Sequence, residues 1–374
     1  TNYGTIGTEI EESLFGKDVG RKAPAQSSSS AFSAANSVAV SSVSSSRGTQ
    51  TTTSKTPAPA ALEPKVKSDL PILSAAPPAF VGLGPWHNSP PLDLQKLRGK
   101  VVLIDFWTYS CINCIRTFPH LEALWQKHKD QPYVQIGIHS PEFTFEKSEK
   151  NVAAAIKEHG LTYPTAQDND FKTWNAFNNQ YWPAHYLIDA EGNIRYTHFG
   201  EGAYEETDLA VTSLLAEIGS ASASKSMPKE ISPSRRDITP EIYLHSRSWD
   251  SFGNAQGQPS TASITYNAPT SMELHKYTLT GTWQLVDDER QVLQSDSGEI
   301  RIRALAGEVN LVLGVEGSTE PVKADIEVDG KPYKTITIQS HDLYTLFKGE
   351  YGEHDVVLKI RGKGVAAYAF TFGS

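Results

Sequence analysis

The pattern of apolar and polar residues divides the chain into two regions. Between about residues 70 and 220, short apolar runs alternate with segments whose apolar residues recur at helical spacing. The run at 101–107 is rich in β-branched and aromatic residues, which predicts a buried central strand. After it, Phe118, Leu121 and Leu124 have the spacing of one helix face. We therefore expect an α/β domain in this region.

Further elements of the α/β region have equally clear signals. The pattern predicts a strand, a helix, a hairpin that turns at Glu191-Gly192 and a closing helix, at 133–139, 151–159, 186–189 with 193–198, and 206–218. Alternating strands and helices, followed by a terminal hairpin and helix, are the thioredoxin order of elements.

Beyond residue 237 the pattern changes to short alternating strands without a long helix. The predicted strands are 262–266, 276–285, 299–304, 309–315, 324–328, 334–338, 355–360 and 365–372. Between two of them, Asp329-Gly330 is a strong hairpin signal. Many short strands separated by turns predict an all-β sandwich of jelly-roll type.

Two other segments are poor in apolar residues. Residues 1–69 are dominated from about 23 to 61 by Ser, Thr, Ala and Pro, and such a segment buries too little apolar area to offset its ordering entropy. We expect a disordered, flexible tether there and a shorter linker at 221–236. The predicted organisation is tether (1–69), α/β domain (70–220), linker (221–236) and β-sandwich (237–374).

Composition restricts the possible functions. The 374 residues carry a formal net charge of -9, which argues against nucleic acid as a partner. There are 2 cysteines, both in one motif, so they do not form a disulfide framework. No apolar run approaches the roughly 18 residues of a membrane-spanning helix. Because the chain lacks an initiator Met and a visible signal peptide, we expect a processed form or a fragment.

The cysteine pair lies where the first predicted strand gives way to a helix, in Cys111-Ile-Asn-Cys114. The first-turn N–H groups and the helix dipole stabilise an anion there, so Cys111 should ionise more readily than a free cysteine. Cys114 lies one turn further along the helix and within reach to close a disulfide. The pattern predicts thiol–disulfide exchange.

Two other kinds of thiol site are weaker interpretations. A structural zinc site needs four ligands, and the sequence has no second CxxC and no closely spaced His pair. A thiol peroxidase of the peroxiredoxin type has the motif P-x-x-x-T-x-x-C; Thr108 occupies the Thr position, but Ile104 stands in place of the Pro.

Five sequence segments carry a resemblance to a known family: LRGKVVLIDFWTYSCINCIRTFPHL, HSPEF, DNDF, YWPAHYLID and GEGAY. The region from Trp86 to about Gly202 resembles the TlpA-like thioredoxin domain of DipZ-type proteins. In that family this domain follows a CcdA-like membrane segment and precedes a β-domain resembling a carbohydrate-binding module, an order similar to the one predicted here.

The resemblance implies an extracytoplasmic thiol–disulfide oxidoreductase of the periplasm or cell envelope, tethered to the inner membrane. It would reduce protein disulfides with electrons from a CcdA-like membrane donor, in the manner of cytochrome c biogenesis proteins. Its redox-active group would be the disulfide of the chain itself, with no metal and no other cofactor.

Roles for individual residues also follow from the resemblance. Cys111 matches the attacking thiolate and Cys114 the resolving thiol. Pro183 matches the cis-proline whose backbone faces the disulfide, and Asp105 matches the buried acid that accepts the Cys114 proton.

Neighbouring residues are expected to shape the site. Trp107, Tyr109 and Trp182 should line it. Ile112 and Asn113 replace the Gly-Pro of thioredoxin, and these positions tune the redox potential.

Charged residues near the motif are more ambiguous. Arg116 either favours the Cys111 thiolate or is an ordinary solvated side chain. His139, His185 and His198 are expected to be structural residues.

The β-region suggests an alternative function, in which it binds a glycan or a protein partner and the redox domain is ancillary. Trp249, in a polar stretch, and Tyr243 are the candidates for stacking on a sugar ring. Trp283 lies within an alternating strand and is expected in the core. Fold analogy alone suggests the glycan.

Overall fold

The computed structural model describes residues 67–75, 77–220, 237–318 and 320–374. The predicted linker and nearly all of the predicted tether lie outside the described residues. We call residues 67–220 the α/β domain and residues 237–374 the β-domain. Within these described ranges, no helix has both the length and the apolar character needed to span a bilayer.

The described part of the α/β domain contains one six-stranded sheet, four α-helices and two short 3₁₀ helices, Leu94–Leu97 and Thr144–Lys147. Its elements are β1 (Trp86–His87), β2 (Val101–Trp107), α1 (Ile112–His128), β3 (Tyr133–His139), α2 (Glu149–Glu158), β4 (Thr165–Gln167), α3 (Lys172–Ala176), β5 (Ala184–Ile188), β6 (Ile194–Phe199) and α4 (Tyr204–Glu217). The sheet order is β1-β4-β3-β2-β5-β6, with β2 parallel to β3 and antiparallel to β5. The thioredoxin-like fold expected from the sequence is confirmed.

Strand β2 is buried along its whole length, as its apolar run predicts. Leu103 and Trp107 pack into the core cluster that contains Cys114, whereas Ile104 and Phe106 pack into a second cluster on the other side of the sheet. This is the two-residue alternation of a strand covered on both faces. The first cluster therefore lies beneath the CxxC helix.

The β-domain consists of nine strands and one short 3₁₀ helix, Ser246–Ser251. Its strands are β7 (Ile242–Tyr243), β8 (Ile264–Tyr266), β9 (Lys276–Val286), β10 (Arg290–Leu293), β11 (Ser297–Val315), β12 (Val322–Val328), β13 (Lys331–Ile338), β14 (Asp342–Arg361) and β15 (Val365–Gly373). The all-β character predicted for this region is confirmed.

Two predicted features of the β-domain differ from the structure. The strands predicted at 299–304 and 309–315 are one continuous strand, β11, whose pairing with β14 shifts register between Ala306 and Glu308. The strand predicted at 355–360 begins much earlier, at Asp342. A bulge lets a strand continue through a residue that breaks the alternation, so the sequence pattern suggested an end where there is none.

The strands of the β-domain form one continuous hydrogen-bonded network. The first part of β11 pairs with β9 and its second part with β15, while β10 joins β9 to β15. These four strands close a ring, and the main core cluster of the domain, which includes Trp283, packs against them.

The β-domain contacts the α/β domain through the segment 140–147, which follows β3. The rings of Phe143 and Phe145 pack on Tyr368 with centroid distances of 5.1 and 4.9 Å. On α1, the Arg116 guanidinium lies 3.4 Å from a carboxylate oxygen of Glu308 on β11. The second domain therefore touches the first close to the CxxC helix.

Candidate redox site

The two cysteines occupy different environments at the start of α1. Cys111 is the N-cap residue and is half-buried, and its Sγ accepts a hydrogen bond from the backbone N–H of Cys114 at 3.4 Å. Cys114 is fully buried. The helix N-terminus stabilises negative charge on the sulfur of Cys111. A partner can reach this half-buried sulfur, whereas Cys114 lies beneath it and is not exposed.

The Cys111 sulfur faces the backbone that leads into β5. The carbonyl oxygen of Trp182 lies 4.0 Å from Sγ of Cys111, and the Trp182–Pro183 peptide bond is cis. The Trp182 indole donates from Nε1 to the carbonyl oxygen of Ser140 at 3.0 Å, which fixes the ring beside the site. The structure thus brings both predicted residues to the outer thiol.

Burial dominates the chemistry of the inner thiol. It raises the pKa of Cys114 well above that of a free thiol, and the neighbouring Cys111 and the charge of Asp105 raise it further. A thiol of this kind keeps its proton until a base takes it. Resolution by Cys114 therefore requires a nearby proton acceptor.

Asp105 is the buried acid of the site, and it has a partner that the sequence did not indicate. Asp105 is 0% exposed, and burial raises the pKa of its carboxyl group. Nε2 of His185 lies 3.4 Å from its Oδ1 and counteracts part of that rise. We expected His185 to be only structural. The available signal was its position two residues after Pro183, on the strand antiparallel to β2.

Glu146 is a second buried carboxylate that the sequence reasoning missed. It is 0% exposed, and its Oε1 accepts hydrogen bonds from Ser110 Oγ at 2.7 Å and from the Ser110 N–H at 3.3 Å. Its Oε2 accepts from the N–H groups of Glu142 at 2.6 Å and Phe143 at 2.9 Å. Burial raises the pKa of Glu146, although these hydrogen bonds oppose the rise. The residue before Cys111 is thereby anchored to the segment that meets the β-domain.

Comparison with known proteins agrees with this geometry. Residues 84–197 match the model of the AhpC/TSA family, and residues 239–373 match the model described as the thioredoxin-like C-terminal domain. Protein DipZ of Mycobacterium bovis is 34% identical over 304 residues, which are 79% of this chain and 42% of that protein. The chain is similar to this DipZ protein over most of its own length. It spans about two fifths of the length of that relative.

Two relatives named as thiol-disulfide oxidoreductases are similar to part of this chain. Thiol-disulfide oxidoreductase YkuV of Bacillus subtilis is 29% identical over 140 residues, covering 37% of this chain and 94% of that protein. Thiol-disulfide oxidoreductase ResA of Halalkalibacterium halodurans is 28% identical over 111 residues, covering 29% of this chain and 59% of that protein. Both relatives are thus similar to a part of this chain, at just under 30% identity.

Buried aromatic residues pack beneath the site. Trp107 is 0% exposed and packs edge-on against Phe118 and His139, with centroid distances of 5.1 and 4.9 Å. Tyr109 is also buried and stacks on His139. Both were expected to line the site, but their burial leaves Trp182 as the aromatic residue beside Cys111 that is partly exposed.

The residues between and after the cysteines have simpler surroundings. Ile112 and Asn113 are half-buried at the start of α1. The guanidinium of Arg116 lies 3.5 Å from Glu201 and 3.4 Å from Glu308, so two carboxylates already hold it. It is therefore an interdomain ion-pair residue, which neither of the two sequence interpretations anticipated.

The two candidate sugar-stacking residues differ in their burial and surroundings. Tyr243 is buried, and its hydroxyl donates to Glu142 of the α/β domain and lies 2.9 Å from Glu241. Its ring therefore belongs to the domain interface, and a sugar could stack on it only if the domains separated. Trp249 is half-buried within the 3₁₀ helix Ser246–Ser251.

Proposed function

We propose that this chain reduces protein disulfides outside the cytosol, with electrons relayed from a CcdA-like membrane donor. The single observation that carries the dithiol chemistry is the half-buried Cys111 at the helix N-terminus, with Cys114 buried behind it. The location and the donor rest on the resemblance to DipZ-type proteins.

In the first step, the Cys111 thiolate attacks one sulfur of a substrate disulfide. A mixed disulfide forms between Cys111 and the substrate, and the other substrate sulfur leaves with the electron pair as a thiolate. The backbone carbonyl of Trp182 lies beside the Cys111 sulfur, where a substrate chain can pair with it.

In the second step, Cys114 attacks the Cys111 sulfur of the mixed disulfide. The Cys111–Cys114 bond forms, and the second substrate sulfur leaves as a thiolate. Because burial raises the pKa of Cys114, its proton must pass to a base, for which Asp105 is the nearby buried carboxylate. Two electrons have then moved from the cysteine pair to the substrate.

Trapping experiments test these roles in the full chain. Cys114→Ser should accumulate mixed disulfides with substrate proteins, because the second step is blocked, whereas Cys111→Ser should accumulate none. Equal trapping by both variants would overturn the assignment. A reduction potential of the couple near roughly -270 mV supports a reductant, and a value near roughly -120 mV would instead make the protein an oxidant.

Thiol peroxidase activity is a weaker candidate. The peroxiredoxin motif places a Thr three residues before the reactive cysteine. Here Thr108 holds that position, but it is buried and its Oγ1 lies 3.4 Å from Nε2 of His139. Ile104, which stands in place of the motif's Pro, packs in the core on the opposite face of the sheet from Cys114.

A further inference from the structure

A row of three titratable side chains crosses the sheet from its centre to its edge. Asp105 on β2 pairs in register with His185 on β5, and His185 pairs with His198 on β6. Strand β2 is central in the sheet, whereas β6 is at its edge. Residues directly opposite each other on neighbouring strands project from the same face, so the three side chains are neighbours.

This row lies on the face of the sheet that holds the inner thiol. Leu103 and Trp107, on either side of Asp105 in the alternation of β2, pack in the same cluster as Cys114, and so does Leu187, two residues after His185. Since side chains alternate along a strand, Asp105 and His185 also face Cys114.

The inner pair of the row is buried without well-aligned partners. Asp105 and His185 are 0% and 1% exposed, and neither side chain has a well-oriented hydrogen bond within the described part of the chain. The closest approach is the 3.4 Å between Nε2 of His185 and Oδ1 of Asp105. Buried polar groups left this way are uncommon in proteins, and they occur most often at functional sites.

The outer end of the row leads towards solvent. The rings of His185 and His198 are 5.9 Å apart between centroids, a gap that one water molecule can bridge. His198 is half-buried, and its Nε2 lies 3.4 Å from the carbonyl oxygen of Glu201 in the loop after β6. From the row, we infer that His185 and His198 conduct the proton of Cys114 from Asp105 to the edge of the sheet.

The inference rests on the proposed function and extends its second step. When Cys114 attacks the mixed disulfide, its proton passes to Asp105, from Asp105 to His185, and through His198 to water. The S–S bond to the substrate breaks as the Cys111–Cys114 bond forms, and the substrate thiolate keeps the electron pair. His185 does not touch the reacting sulfurs, so it is a positioning and proton-transfer residue.

Other titratable groups near the row do not replace it. Tyr133 and Tyr163 lie near Asp105, but burial, together with the charge of Asp105 and other nearby charges, raises the pKa of both phenols well above their usual value. Glu201 and Glu206 lie near His198 at the outer end. The phenols stay protonated at neutral pH, so the imidazole of His185 is the group next to Asp105 that can take the proton onward.

Single-turnover kinetics of the full reduced chain can separate the two chemical steps. A small aromatic disulfide, 5,5′-dithiobis(2-nitrobenzoate), releases one coloured thiolate when Cys111 attacks and a second when Cys114 resolves the adduct. His185→Asn should leave the first release unchanged and slow the second by on the order of 10²-fold. It should also shift the pH profile of the second release to higher pH, because hydroxide must then remove the proton from Asp105. His198→Gln should slow the second release less.

His128→Asn is the matched control, because His128 is also fully buried and its Nε2 lies 3.1 Å from a carboxylate oxygen of Asp208, outside the row. Neither its second release nor the pH profile of that release should change. If His185→Asn keeps the wild-type rate and pH profile, the proton route is overturned. If the wild-type chain itself shows no second release, the proposed dithiol function fails instead. Should His185→Asn not fold, the half-buried His198→Gln decides, and a wild-type pH profile in it overturns the route.

Discussion

Replacing Glu146 should loosen the residue that precedes Cys111. Four hydrogen bonds end on its carboxylate, three of them from backbone N–H groups, at Ser110, Glu142 and Phe143. Glu146→Ala leaves those donors without this partner, and an unsatisfied buried donor costs about 1–3 kcal/mol. Taking the lower value for each, we expect a loss of about 3 kcal/mol in the free energy that closes this segment.

Glu146→Gln should cost less, because it keeps the shape and one acceptor oxygen and removes the penalty of burying a charge. The difference should depend on pH. Burial raises the pKa of Glu146 in the folded chain, so the wild-type residue contributes stability below its unfolded pKa, near 4.5, and loses it as pH rises through the folded pKa. Glutamine does not titrate, so the loss of stability in Glu146→Gln relative to wild type should become smaller as pH rises.

Hydrogen–deuterium exchange of peptides containing Ser110 and Phe143 measures this closing energy in the full chain. A loss of about 3 kcal/mol corresponds to on the order of 10²-fold faster exchange. Glu122→Ala is the matched control, since Glu122 accepts three hydrogen bonds, a number close to that of Glu146, but is half-exposed. Its effect should stay below about 1 kcal/mol. Exchange at Ser110 in Glu146→Ala that equals wild type would refute the reasoning.

Three further changes address the domain contact and the core. Burial raises the pKa of Glu142 to about 8, so docking of the domains should weaken as pH rises from 4.5 towards 8, and Glu142→Gln should flatten that dependence in small-angle X-ray scattering. Arg116→Ala removes the ion pairs of the partly exposed guanidinium with Glu201 and Glu308 and should lower the free energy of unfolding in urea by less than about 1 kcal/mol; a loss above about 2 kcal/mol would contradict this. Gly137→Ala places a Cβ 2.7 Å from Nε1 of Trp107 and should destabilise by about 1–3 kcal/mol in thermal denaturation, where an unchanged midpoint would argue against the close packing.

Elements with a strong apolar pattern were predictable from the sequence. The predicted bounds of β2 and β3 agree with the structure because these central strands consist almost entirely of buried side chains. β4 and α3 were missed, since elements of 3 and 5 residues are too short to show a period. Their places are set by pairing with β3 and by packing of Trp174 rather than by local sequence.

The site was predictable as far as its chemistry lies in one contiguous motif. Cys111 and Cys114 follow from the spacing, and Asp105 and Pro183 from the resemblance. His185 and Glu146 depend on contacts between distant segments: one across a strand pair, the other between the loop before α1 and the segment after β3. No local pattern encodes such contacts, and an isolated His or Glu in a sequence is most often structural or exposed.

Tyr243 illustrates the same limit in the opposite direction. A tyrosine in a predicted β-sandwich domain is a reasonable candidate for stacking on a sugar from sequence alone, yet the hydroxyl of Tyr243 donates to Glu142, four residues before Glu146. The residue that suggested binding of an external ligand instead holds the two domains together.

These contacts join the β-domain to the redox site through one short segment. Phe143 and Phe145 pack on Tyr368, while Glu146, in the same segment, holds Ser110 immediately before Cys111. A displacement of the segment that separates the two phenylalanines from Tyr368 would also move the carboxylate that fixes Ser110. Docking of the β-domain and the geometry of the outer thiol are therefore not independent, and a substrate that pushes the domains apart would alter the N-terminus of the helix that stabilises the Cys111 thiolate.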